Sequence, residues 1–337
     1  MRISSLTNAA FLAALLILAS PDSFSSARAD EISKTEEKTF DFKPGGRVQV
    51  VGDAGYLRVE SWDKNEVFLR YTKRVWEARR RDAERRMEDL QVEITVQPDQ
   101  LTIRQIPGFQ RERFTFFDLF DPDRWGHTRH SARIDFELRV PRQCNLVLES
   151  DEGDITVRHI EGEVQIDSDE GNVDLENLSM GKVVVATDEG EIECRDSQLG
   201  DHRLALSSDE GTIRVTDLSG RSLSAEADEG DIVLMRINAT SGKLSTDEGD
   251  VELDAARFDE GEWNITTDEG DVDLFLPTNA DVEITLESRD GNIRSDFSLT
   301  RVSEENEHLD RRTGRLGNGR GKLEVQTDEG DINLRRR

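Results

Sequence analysis

Cysteine is almost missing from this chain. Its 337 residues include only Cys144 and Cys194, which excludes a disulfide-stapled scaffold and a zinc site built on clustered thiolates. Long apolar runs are missing as well. The longest, AAFLAALLILA from Ala9 to Ala19, has 11 residues, too few to cross a ~30 Å hydrocarbon layer, so no membrane span is expected. That run follows Arg2 and precedes Ala27-Arg28-Ala29, the pattern of a secretory signal cleaved near Ala29. No cysteine follows it to carry a lipid. The expectation is an exported protein, periplasmic, cell-surface or secreted. Aromatic residues make up only 6% of the chain, so any local concentration of them is informative.

Positive charge is scarce in one half only. Residues 30–140 carry 22 acidic and 21 basic side chains, whereas residues 141–337 carry 49 and 21, a net charge of −28. Such a surface repels nucleic acid and anionic lipid and attracts divalent cations or basic partners. Nucleic-acid binding is thereby excluded as an expectation.

What fills the acidic half is a repeat. Asp-Glu-Gly recurs with its glycine at Gly153, Gly171, Gly190, Gly211, Gly230, Gly249, Gly270 and Gly330, with Arg-Asp-Gly at Gly291. The spacing is near 20 residues, apart from a final interval of about two periods. Apolar residues fall five before the glycine (Leu148, Ile166, Val185, Leu206, Leu244) and two and four after it (Ile155 and Val157, Val173 and Leu175, Val251 and Leu253). Period two on both sides of a turn predicts two short strands per repeat with one face buried. Position minus three is Ser or Thr in every repeat but that of Ala227 and shares the inward parity, which predicts a hydroxyl ladder. The glycine predicts a positive φ. Units this short bury their apolar faces only by stacking. The predicted fold is all-β with one helix, a single-stranded parallel β-solenoid with coils of about 20 residues and an N-terminal capping region.

The same template fits VQVVGDAGYLRVESW once, around Gly55, with Trp62 at plus seven, predicting one degenerate coil. After it come a strand in NEVFLRY, a helix over about 75–90 with Trp76, Ala83, Met87 and Leu90 on one side, a hairpin in VEITVQPDQLTIRQI, and a strand in ARIDFELRV. The predicted organisation is a signal over 1–29, a β-rich cap over 30–140 and acidic solenoid repeats over 141–337, with an insertion at about 300–320 that is expected to be mobile.

The motif GYLRVESWD, the strand ending in Val140-Pro141 and the closing GRGKLEVQTDEGDINL together resemble the bacterial putative-adhesin family of β-strand-repeat domains of unknown function, over roughly residues 40–337. The resemblance implies an extracytoplasmic, envelope-associated role and brings no catalytic residues with it. Many members carry a small polar residue where this chain has Asp-Glu, so the acidity is this protein's own feature.

Stacked coils place Asp151, Asp169, Asp188, Asp209, Asp228, Asp247 and Asp268 in one row. At the ~4.8 Å strand spacing, neighbouring charges repel by roughly 0.9 kcal/mol in water and about 3.5 at an effective dielectric of 20. Either calcium offsets this, shared between coils with the carboxylates at plus one (Asp154, Glu191, Asp231, Asp250, Asp271, Asp331), or the row is a solvated edge screened by salt. The solvated edge is the favoured reading, because the nonapeptide of calcium-binding solenoids is missing. Arg289 interrupts the row or neutralises a neighbour. Phe114, Phe116, Phe117, Phe120 and Trp125 in FTFFDLFDPDRW are candidate partner contacts; as a lid on the first coil they have a purely structural role, which is favoured. His127 and His130 have no third ligand at a suitable spacing. Cys144 and Cys194 stand two coils apart, about 10 Å along the axis against a ~7 Å limit for a disulfide, so both are expected to be free thiols. GNGRG lacks the Lys-Ser/Thr of a phosphate loop and is expected to be a connector.

No catalytic residues and no cofactor-binding residues are predicted. The favoured function is a non-catalytic binding or scaffold protein of the bacterial envelope with a basic or cation-bridged partner. The alternatives are a calcium-dependent carbohydrate-active β-helix enzyme resembling a polysaccharide lyase, and an envelope filament that assembles end to end.

Overall fold

The computed structural model describes residues 31–77, 79–106, 132–302 and 308–337. Two parallel ladders run the length of the molecule, one built from the strands before each glycine and one from the strands after it. In the first, Asn145–Glu152, Val164–Glu170, Val183–Glu189 and Arg203–Glu210 stack in register, followed by the second halves of Ile213–Glu229 and Ile232–Glu248. The column Leu148, Ile166, Val185, Leu206, Ala225, Leu244 and Ile265 sits strand on strand and is buried throughout. In the second ladder Ile155–Arg158, Val173–Glu176 and Ile192–Gln198 are followed by the first halves of the same long strands and by Val251–Ala255 and Val272–Leu276. The inward faces of the two ladders enclose one continuous core. The predicted solenoid is therefore the observed fold.

The order of coils in space differs from the order in sequence at both ends. Strands Gly321–Glu329 and Ile332–Arg336 lie between the Gly270 coil and the Gly291 coil, so the last coil of the chain is the penultimate coil of the stack. This explains the double interval before Gly330. In the segment expected to be an insertion, Thr300–Val302 and Asp310–Arg315 pair antiparallel and the latter lies antiparallel on Val282–Ser288, while residues 303–307 lie outside the described residues. An added strand here covers an outermost ladder edge that would otherwise present unpaired amides.

At the opposite end the Gly55 coil rests directly on the Gly153 coil, with Val50 on Leu148 and Val59 on Val157. Next outward come Gln100–Ile106 on Arg47–Val51 and Ala132–Pro141 on Leu57–Trp62. Gln91–Val96 then pairs antiparallel with the first of these, Glu66–Trp76 with the second, and Glu31–Asp41 with Glu66–Trp76. The helix is shorter than predicted, Arg80–Asp89. Val75 and Trp76 remain in the strand because Glu31 and Ile32 pair with them, so tertiary pairing overrides the helical periodicity there. Ala83 and Leu90 are buried on the helix's inner side, and Met87 packs against the core.

Candidate functional site

The acidic corner is built on a column of glycines. Each has a positive φ, from +121° at Gly55 and Gly171 to +154° at Gly230, Gly249 and Gly270, with Gly291 outside that region. A second constraint was not visible in the sequence. A Cβ added at Gly249 would lie 2.3 Å from the carbonyl oxygen of Gly230, and one at Gly270 would lie 2.0 Å from that of Gly249. Backbone rests on backbone along the whole column, and only glycine fits.

The hydroxyl ladder is present and has a specific acceptor. Ser208, Thr246, Thr267, Thr327 and Ser288 donate to the carbonyls of Gly190, Gly230, Gly249, Gly270 and Gly330 at 2.9–3.3 Å. Each hydroxyl thus satisfies a glycine carbonyl of the neighbouring coil. Thr187 donates instead to the Glu189 carbonyl of its own coil, the buried Ser168 hydroxyl finds no partner among the described residues, and Ala227 has no hydroxyl to donate.

The plus-one carboxylates have a structural task. The Oδ1 atom of Asp231 accepts the backbone N–H of Asp250, Asp250 that of Asp271, Asp271 that of Asp331, and Asp331 that of Asn292, all at 2.7–2.9 Å. Asp154 and Asn172 do the same two coils running. These side chains close the backbone hydrogen bonding of the next coil where the turn leaves an N–H without a strand partner.

Asp and Glu of the tripeptide, by contrast, point away from the core. Asp169, Asp188, Asp209, Asp228, Asp247 and Asp268 are exposed, as is Asp151. Among the described residues no group of three or more His, Cys, Asp or Glu side chains converges to hold a metal ion. Arg289 stands in the Asp position of the outermost coil and pairs with Asp328 of the coil beneath. Phe114, Phe116, Phe117, Phe120, Trp125, His127 and His130 lie outside the described residues, as does the signal segment. Cys144 and Cys194 are both free and buried, and burial pushes their thiols up to about 12 and about 11.

GNGRG does cradle an anion, but an internal one. Backbone N–H groups of Asn318 and Arg320 and the Arg320 guanidinium all donate to the Asp281 carboxylate. Gly317 and Gly319 supply the left-handed conformations, φ +60° and +69°, that turn the amides inward.

A second site was missed in the sequence. Five coils bend at plus six through a left-handed residue, His159, Asn177, Asp196, Asp217 and Arg236, and then bury the residue at plus seven, Ile160, Leu178, Ser197, Leu218 and Ile237. In the Gly55 coil the strand instead runs straight on through Ser61 to Trp62. Trp62 is left half-buried, its indole held by a 2.8 Å hydrogen bond to the Glu66 carbonyl. It lines a groove of about 450 Å³ together with Arg58, Glu60, Phe68 and Arg139. With Lys64 it also borders a neighbouring cavity of about 270 Å³. The aromatic residue at plus seven, where other repeats carry mostly aliphatic ones, was the signal available.

A family model described as Toastrack DUF4097 matches residues 88–335. No curated protein matches the sequence. Among solved structures, a putative adhesin from Bacteroides fragilis NCTC 9343 is 10% identical with a TM-score of 0.38, covering 90% of this chain and 97% of that one. A putative cell adhesion protein from Clostridium sporogenes ATCC 15579 is 12% identical with a TM-score of 0.20, covering 90% and 100%. A putative lipid binding protein from Parabacteroides distasonis ATCC 8503 is 13% identical with a TM-score of 0.41, covering 88% and 96%. Scores this low leave the function to be argued from the chain's own residues.

Proposed function

This chain belongs to the Toastrack DUF4097 family, and we propose that it is a non-catalytic binding protein of the bacterial envelope, exported and adhesin-like, whose acidic edge contacts a basic or cation-bridged partner. The observation that carries the proposal is the row of exposed Asp-Glu pairs, held in register by the glycine column beneath it. The fold rests on the glycine, the hydroxyl at minus three and the plus-one side chain, whereas the Asp and Glu at minus two and minus one of the central coils face solvent. Their regular repetition makes a linear array of negative charge that a partner with spaced cations could follow.

Export is supported by the pattern of residues 1–29, and among the described residues no helix is long and apolar enough to cross a membrane. Filament growth by end-to-end stacking is disfavoured, because both ladders at the N-terminal end and the first ladder at the other end finish on antiparallel strands.

Binding to immobilised poly-L-lysine, followed as ionic strength is raised, tests the edge. Binding that weakens with salt and drops in the combined variant Asp228→Asn, Asp247→Asn, Asp268→Asn supports the proposal. Unchanged binding by that variant would sink it. N-terminal sequencing of protein from the periplasm or medium should begin at Asp30.

A further inference from the structure

We propose that the groove beside Trp62 is a binding site for an acidic saccharide, a sugar ring bearing a carboxylate. The site lies on the outer face of the second ladder at its N-terminal end, where Arg58, Glu60, Trp62, Phe68 and Arg139 come from three adjacent strands. Its volume, about 450 Å³, is that of a small-ligand site.

Three features of its lining point to one chemistry. Among the described residues Arg58 and Arg139 form no ion pair: the other groove cations are engaged, Arg70 by Glu37 and Glu137 and Lys64 by Glu66, whereas Arg58 lies over the Tyr56 ring and Arg139 is exposed. Two guanidinium groups without a carboxylate partner thus border one groove, and their planar forks suit a carboxylate. Trp62 and Phe68, with ring centroids 6.3 Å apart and planes tilted by 49°, offer apolar faces for the C–H surface of a pyranose ring. Glu60, beside Arg139 in register on the adjacent strand and without an ion pair among the described residues, is an acceptor for sugar hydroxyls, and it disfavours a bare anion with no donors of its own.

The acidic edge does not forbid this. Residues 30–140 are close to charge balance, screening confines surface fields to about 8 Å at physiological salt, the lining carboxylates Glu66 and Glu137 are paired with Lys64 and Arg70, and Asp174 and Glu176, two strands further along the second ladder, are paired with Arg158 and Arg195. The site also arises where the repeat is broken. Had the Gly55 coil turned at plus six like its neighbours, Trp62 would be core; local departures from an otherwise consistent pattern are where function is expected.

Isothermal titration calorimetry of the purified protein with 3′-sialyllactose, trigalacturonate and glucuronate, against lactose and glucose 6-phosphate, tests the assignment. At least one carboxylated sugar should bind, with lactose and glucose 6-phosphate weaker by roughly tenfold or more. Arg139→Ala and Arg58→Ala should each weaken it by a similar factor, as should Arg139→Lys, which keeps the charge and loses the fork. Trp62→Ala should abolish binding, while Trp62→Phe, which keeps an aromatic face, retains part of it and controls for folding. The proposal is overturned if no carboxylated sugar binds, if lactose or glucose 6-phosphate binds equally well, or if binding survives the arginine variants. None of these outcomes bears on the poly-L-lysine experiment, which reads the acidic edge.

Discussion

At the scale of single residues, the corner depends on contacts between one coil and the next. Ala227 is the one minus-three residue without a hydroxyl, so Ala227→Ser should let a new hydroxyl reach the Gly211 carbonyl, as Ser208 reaches that of Gly190, and raise stability by about 1 kcal/mol. Thr246→Val should cost a similar amount by leaving the Gly230 carbonyl without its 3.1 Å donor. Denaturant unfolding of both variants measures the pair, and a neutral Thr246→Val would mean that water replaces the hydroxyl. Gly249→Ala should be far more damaging, by about 3 kcal/mol or more, since it combines a φ of +154° with a 2.3 Å clash against backbone. A thermal midpoint within a degree or two of wild type would refute the close-stacking account.

At the scale of elements, the plus-one ladder and the nest around Asp281 make opposite use of negative charge. In the ladder the hydrogen-bonding oxygen matters and the charge does not, because Asn172 performs the same task as Asp250. Asp250→Asn should therefore be neutral or stabilising at low salt, whereas Asp250→Leu strands the Asp271 N–H and should cost about 1–3 kcal/mol. Equal effects of the two would show that charge, not geometry, is what the position supplies. In the nest the charge is essential. The Arg320 guanidinium, with the amides of Asn318 and Arg320, holds the Asp281 carboxyl down to about 2, below the ~3.9 of an unfolded chain. This contribution is fully present above the unfolded value and is lost as pH falls through about 2. Acid titration should show stability declining across that window in the wild type and a flatter profile in Asp281→Asn; a profile unchanged by the substitution would remove Asp281 from the acid response.

At the scale of the molecule, the question is how a rod carries a row of like charges. The coils from Gly171 to Gly270 leave Asp and Glu exposed, and among the described residues no three ligands converge, so the repulsion is expected to be relieved by diffuse counterions. Thermal unfolding in calcium, magnesium and monovalent salt at matched ionic strength should show similar divalent effects. A large shift specific to calcium would instead mean ordered sites. The reading of residues 30–140 as a cap predicts that a chain beginning at residue 141 exposes two parallel ladder edges and self-associates; a soluble, monomeric product would sink it.

The repeat was legible in the sequence because a strand's two-residue period and a turn's need for glycine act within a few residues of one another. That local chemistry determined the two strands per coil, the inward hydroxyl, the two unpaired cysteines and the degenerate coil at Gly55. It could not determine the order of stacking, since each coil offers nearly the same pattern to any neighbour. Tertiary structure alone decided that Gly321–Glu329 enters between two earlier coils and that Val75 and Trp76 stay extended against Glu31 and Ile32. It alone brought Arg58, Trp62, Phe68 and Arg139 to one groove, because adjacency across a ladder depends on which backbones pair, and the pairing partners of the outer coils are dozens of residues away.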